Sequence, residues 1–156
     1  MTAGPEPELV TIVPATTAVV RDVVPMADLR AFFDSSFRAL AQTLAAQGVA
    51  VLGPAFARYR GTIGDPVDVE VGFTTDRAVL HDGAVAAAAL PGGRVARVVH
   101  LGGFDGLGAS WERLHVWIAD RGLAAQGQMW EVYLTQPAPD TDPQTLRTEL
   151  NLPIAD

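Results

Sequence analysis

Two hydrophobic periods alternate along the chain. From Leu9 to Val24 valine and threonine dominate and Pro14 interrupts, the pattern of one strand or of two short ones. Past Pro25 the period lengthens. Leu29, Phe33, Phe37, Leu40 and Leu44 recur at steps of four, four, three and four, which puts them on one stripe of an amphipathic helix. Gly48 stands where that helix should end, as a residue that adopts the left-handed cap conformation without strain. Ala55 to Arg60 and Val67 to Thr74 predict a hairpin across the breaker-rich turn from Gly61 to Pro66. Ala84 to Leu90 and Arg94 to Leu101 predict a second hairpin across Pro91-Gly92-Gly93. A glycine-rich loop from Gly102 to Gly108 follows, with Asp105 as a candidate cap. Leu107, Trp111, Leu114 and Ile118 then mark a second helical stripe that ends at Gly122. Met129 to Thr135 predicts a strand, Pro137 to Pro143 a loop, and Leu146 to Leu152 a closing strand. The acidic, proline-rich residues 1–8 predict a disordered leader before a single domain over 9–154.

The two halves resemble each other. Phe37, Leu40, Leu44, Gly48 and Gly53 have counterparts 74 positions later in Trp111, Leu114, Ile118, Gly122 and Gly127, as 37 + 74 = 111 shows. Val69-Glu70-Val71-Gly72-Phe73-Thr74 aligns with Trp130-Glu131-Val132-Tyr133-Leu134-Thr135 at an offset of 61, which makes Glu70 the repeat mate of Glu131. The expected fold is therefore α+β: tandem duplicated βαββ units, about 9–76 and 84–154, related by a pseudo-twofold axis. Their two main helices would lie on one side of antiparallel sheets, with a central ligand cleft where the units meet.

Composition narrows the function classes. A formal net charge of -7 repels phosphate backbones, so direct nucleic-acid binding is not expected and a cationic or neutral partner fits better. There is no cysteine and no lysine; all 11 basic residues are arginine. Disulfides, thiolate chemistry, lysine Schiff bases and a phosphate-loop lysine are thereby excluded. No apolar run approaches the roughly 18 residues of a membrane span, and no signal-peptide pattern opens the chain, so a cytoplasmic location is expected. The valine-rich strands leave a homodimer open.

The residues that carry chemistry are few. On a strand, Glu131 and Tyr133 point to one face and Trp130 and Val132 to the other. With apolar residues on both sides, a carboxylate there is costly unless a partner meets it, and a cationic ligand would offset the cost. The competing reading is an edge glutamate, solvated or paired with an arginine. Glu70 alternates with Val69 and Val71, as on a half-exposed strand, and its symmetric placement suggests a cleft shared with Glu131. Tyr59, Phe73, Phe104, Trp111, Trp117, Trp130 and Tyr133 are the candidate aromatics, which would suit lipophilic cations through stacking and cation–π attraction or else fill the core. The glycines before the second helix do not give a dinucleotide fingerprint, and His81, His100 and His115 lack metal-ligand spacing, so neither cofactor nor metal is expected.

Several segments in order resemble the GyrI-like small-molecule-binding domain, the fold shared with effector-binding domains of some AraC-type and MerR-type transcription regulators. They are Asp68-Val69-Glu70-Val71-Gly72-Phe73, Leu90-Pro91-Gly92-Gly93-Arg94, His100-Leu101-Gly102-Gly103-Phe104-Asp105, Trp111 to Leu114, Arg121-Gly122-Leu123, Trp130 to Thr135, and Leu146 to Leu150 with Pro153. The resemblance implies a ligand cleft with an acidic residue, here Glu131, that in some members meets lipophilic cations, and Tyr133 fits the tyrosine of the same motif. It implies a ligand-binding set of Glu131, Tyr133, Glu70, Tyr59, Phe104, Trp111 and Trp117. Some stand-alone members are similar to hydrolases of reactive cyclopropane-containing compounds, in which Glu131 and Tyr133 would be the catalytic pair. A third reading is an inhibitory protein-interaction module. No helix-turn-helix pattern precedes Leu9, so the expectation is a free-standing binder of a small hydrophobic, cationic or neutral molecule.

Overall fold

The computed structural model describes residues 6–61, 64–135 and 142–155. Its strands and main helices are β1 (Glu8–Ile12), β2 (Ala15–Val24), α1 (Leu29–Gln47), β3 (Phe56–Arg60), β4 (Val67–Thr74), β5 (Ala86–Leu90), β6 (Gly93–Leu101), α2 (Leu107–Asp120), β7 (Gln128–Tyr133) and β8 (Arg147–Pro153). The fold is α+β. The eight strands form one curled antiparallel sheet in the order β1-β6-β8-β7-β3-β4-β2-β5. The order strand, helix, strand, strand occurs twice, in β2-α1-β3-β4 and in β6-α2-β7-β8. The expected leader lies largely outside the described residues, and Glu8 already belongs to β1. The Pro137–Pro143 loop also lies mostly outside them.

Both helices form where the stripes predicted them. Leu40 and Leu44 of α1, and Trp111, Leu114 and Ile118 of α2, are buried. Each helix ends on a left-handed glycine, Gly48 at φ 65° and Gly122 at φ 68°. The amide of the next residue returns to the last turn in both: Val49 to Leu44, Leu123 to Ile118. Asp105 does not cap α2; the capping position is Gly106, with no side-chain bond.

The second predicted hairpin does not form. β5 pairs with β2, and β6 pairs with β1 and β8. The register explains why. Ile12 faces Gly93 and Ala15 faces Leu90, and the residue numbers of both pairs add to 105. The segments 8–24 and 86–101 thus behave as two long antiparallel strands that cross, each interrupted by a proline, Pro14 and Pro91. At the crossing a Cβ on Gly92 would lie 2.6 Å from Pro14 Cδ. Only glycine lets the two chains approach this closely.

The strand alternation sorts the core onto two faces. On the helix face, α1 packs over Ala18, Val20, Ala57, Tyr59, Val69 and Val71, and α2 packs over Ala96, Val98, Leu150 and Leu152. Met129 touches both groups. On the reverse face, the curl of the sheet encloses Val19, Phe56, Leu90, Val95 and Trp130. The central pair β3–β7 therefore lies between the two helices on one face and over a separate apolar core on the other.

The topology also corrects one part of the repeat alignment. β4 neighbours β3 as β8 neighbours β7, so Val69–Thr74 and Trp130–Thr135 occupy different places in the two halves. The helix offset instead continues unbroken into β3 and β7: 57 + 74 = 131 and 59 + 74 = 133. Ala57 stands directly across from Glu131 in the ladder. Glu131 thus has alanine, not Glu70, in the corresponding position.

Candidate functional site

Glu131 sits in β7 between β3 and β8, at the middle of the sheet. The pleat sends it, Met129 and Tyr133 to the helix face, while Trp130 and Val132 join the reverse core. Its residue is only 6% exposed. The edge-strand reading is thereby excluded. Trp111 reaches it from α2, where the indole Nε1–H donates to Glu131 Oε1 at 2.9 Å. Tyr133, two residues along the same strand face, donates its hydroxyl to Oε2, also at 2.9 Å. Tyr59 of β3 lies on the same sheet face as this pair.

The electrostatics follow from this packing. None of the ion pairs among the described residues involves Glu131. Burial pushes its carboxyl pKa above the ordinary value, and the Trp111 and Tyr133 hydrogen bonds and the electrostatic pull of His100 only partly offset this. Burial beside that carboxylate also raises the hydroxyls of Tyr59 and Tyr133.

His100 fixes one wall. Its Nε2 lies 2.8 Å from the carbonyl oxygen of Gly103, which only accepts, so Nε2 carries a proton. Its Nδ1 lies 2.6 Å from Ser110 Oγ. The ring ties the glycine loop to the start of α2, and Gly106 is tight against it: a Cβ there would lie 3.0 Å from His100 Cε1. The loop presents Phe104 edge-on to Tyr133, with centroids 6.0 Å apart, and leaves Phe104 45% exposed. On the α1 side, Phe33, Phe37 and Phe73 form a half-buried edge-to-face row at 6.2 and 5.6 Å.

The structure thus gathers Glu131, Tyr133, Tyr59, Phe104 and Trp111. It does not bring Glu70 or Trp117 to them. Glu70 points to the reverse face, where Arg58 Nη1 and Arg60 Nη2 meet it at 3.4 and 3.3 Å. Its strand is not half-exposed as the alternation suggested, because Arg58 and Arg60 cover it: Glu70 is buried and Arg58 also holds Gln128 and the Ala89 carbonyl. Trp117 lies toward the outside of α2 with the Arg121 guanidinium 4.2 Å above its ring. It lines a surface groove of about 570 Å³ with Glu112, Val116, Asp120 and the Glu6–Pro7 segment, apart from Glu131. Sequence reasoning passed over the His100–Ser110 contact, which nine intervening residues hide, and it did not single out Phe33 and Phe37 among ordinary stripe residues. Among the described residues no group of three His, Asp or Glu side chains is placed to hold a metal ion. No helix there is long and apolar enough to cross a membrane.

Comparison with known proteins agrees with this architecture. The family model of the GyrI-like small-molecule-binding domain matches residues 5–155, and the chain belongs to that family. The EcmrR C-terminal domain superposes with a TM-score of 0.84 at 19% identity, over 97% of this chain and 98% of that one. In the EcmrR–DNA complex the match has a TM-score of 0.85 at 19% identity over 96% of this chain, which spans 57% of the EcmrR chain there. SAV2435 bound to tetraphenylphosphonium gives a TM-score of 0.67 at 13% identity, over 96% and 94%. A hydrolase encoded by lin2189 from Listeria innocua gives 0.70 at 14% identity, over 97% and 93%. No curated protein matches the chain.

Proposed function

We propose that this domain binds a lipophilic organic cation, or a neutral molecule of similar shape, over Glu131 and between the two helices. One observation carries the proposal: a buried carboxylate whose two oxygens are held only by neutral donors. The contrast with Glu70 is internal to the molecule. That buried carboxylate has two guanidinium partners, whereas Glu131 has none. A buried carboxylate without a cation is costly, and a ligand cation held by aromatic faces would complete the site. Tyr133, Phe104, Tyr59 and Trp111 are the aromatic neighbours in reach. The solved structure of SAV2435 with tetraphenylphosphonium supports this ligand class.

The test uses tryptophan fluorescence, because the indole of Trp111 is bonded to the proposed contact point. Tetraphenylphosphonium should quench saturably, and the affinity should fall in Glu131→Gln. Attraction at about 6 Å and an effective dielectric of about 20 gives about 3 kcal/mol, so the fall is on the order of 100-fold. No saturable quenching by any lipophilic cation in a diverse panel would sink the proposal.

A second reading is favoured by the pairing of Tyr133 with a buried carboxyl that holds its proton above the ordinary glutamate range. Such a group serves as a general acid toward an electrophilic ligand. Consumption of an electrophilic cyclopropane compound by sub-stoichiometric protein, lost in Glu131→Gln, would establish it. Binding without consumption rejects it.

A further inference from the structure

Three buried side-chain atoms among the described residues have no hydrogen-bond partner: Thr17 Oγ1, Arg60 Nε and Thr148 Oγ1. Thr17 and Arg60 belong to the reverse face, by alternation with Ala18 and Tyr59. Thr148 alone belongs to the helix face. β8 places it directly between Tyr133 on β7 and His100 on β6. The next helix-face residue along β8 is Leu150, which faces Glu131. Thr148 is therefore a diagonal neighbour of the carboxylate, its side chain on the order of 7 Å away.

Its neighbours are already committed. His100 uses both ring nitrogens, on Gly103 and Ser110. Tyr133 gives its proton to Glu131. The hydroxyl is fully buried, with a donor and an acceptor unused. Valine has the same shape and suits a buried strand at least as well, so packing does not account for the oxygen. A buried hydroxyl left unpaired is destabilising, and a ligand atom that pairs with it removes the penalty. Phe104, half exposed on its glycine-flanked turn and edge-on to Tyr133, is the cover such a ligand would displace.

We propose that Thr148 is a polar recognition point of the Glu131 cleft, so that the preferred ligand is a lipophilic cation carrying a hydroxyl, ether or carbonyl oxygen on the order of 5–8 Å from its charged centre. The inference rests on the ligand reading above and narrows it, from cations that are apolar throughout to cations with one oxygen at a set distance.

The experiment compares two aryl-alkyl trimethylammonium ions, one with a ketone four carbons from nitrogen and one with a methylene in its place. Each is titrated by tryptophan fluorescence into wild type, Thr148→Val and Thr148→Ser. Wild type and Thr148→Ser should prefer the ketone by about fivefold. Thr148→Val should bind both ions equally, with the affinity of the methylene ion unchanged and a thermal midpoint no lower than wild type. Equal binding of both ions by wild type, or a ketone preference that survives in Thr148→Val, overturns the assignment of Thr148 and leaves cation binding standing. Failure of both ions to bind any of the three proteins overturns the cation reading, and this inference with it.

Discussion

Trp111→Phe separates what the indole contributes by packing from what it contributes by its N–H. The smaller ring loses some contact with the α2 core, a cost that does not change with pH. Loss of the 2.9 Å bond to Glu131 Oε1 does change with pH. A hydrogen bond to an ionised carboxylate contributes about 1.5–3 kcal/mol, and one to a neutral group about 0.5–1.5 kcal/mol. The deficit of the variant should therefore widen by about 1–1.5 kcal/mol as Glu131 ionises. The sign follows from proton linkage. The folded state holds the Glu131 proton above the ordinary glutamate range, so between the unfolded and folded titrations the native protein binds more protons and stability falls as pH rises. Removing the indole donor raises the folded value further and extends that fall upward. Urea unfolding followed by far-UV circular dichroism from pH 5 to 9 measures it. The wild-type and Trp111→Phe stability curves should diverge toward high pH, and the same substitution in a Glu131→Gln background should cost the same at every pH. Curves that stay parallel in the wild-type background would refute the reasoning, because the indole would then be acting through packing alone.

Three other variants test the assignment of faces and the crossing. Glu70→Gln should leave tetraphenylphosphonium affinity within about twofold while costing about 3 kcal/mol in urea unfolding, at the low end for a broken buried pair because water screens the partly exposed Arg60. Trp117→Phe should leave both the affinity and the saturable part of the quenching unchanged, since its ring stacks under Arg121 away from Glu131. Gly92→Ala should lower stability by about 1–3 kcal/mol through collision with Pro14, whereas Gly108→Ala, in open space on α2, should raise it by about 0.5–1 kcal/mol, both read by thermal unfolding.

The helices, their glycine ends and the strand positions were legible because local periodicity specifies them. The apolar residues on both faces of its strand made a buried Glu131 one of two readings, and local pattern did not choose between that and an edge glutamate. The partners that define the site were not legible. Trp111 reads as one more stripe residue, and nothing local shows that its indole edge meets a carboxylate 20 positions later. Glu70 and Glu131 looked alike because each sits in a hydrophobic strand. What separates them is the company of Arg58 and Arg60, one strand away and on the other face.

The missed crossing shows where local pattern stops. Pro91-Gly92-Gly93 carries good turn chemistry, and a hairpin over it would satisfy the alternation on both sides. The same chemistry serves a kinked strand, because a proline that cannot donate to a ladder interrupts pairing without reversing the chain. What chooses between the two is Pro14, in a segment almost 80 residues earlier with its own interruption at the matching register. Two interruptions that align let both long strands bend at one point, and the absence of a side chain at Gly92 provides the room. The crossing has a consequence for the site. It seats β1 beside β6 and β5 beside β2, so each half of the sheet is completed by a strand drawn from the other. The β3–β7 centre is thereby held from both flanks, which keeps Glu131 and Tyr133 in register with Trp111 on α2 and Tyr59 on β3. A substitution at the crossing should therefore weaken ligand binding as well as stability, although neither Pro14 nor Gly92 lies near the carboxylate.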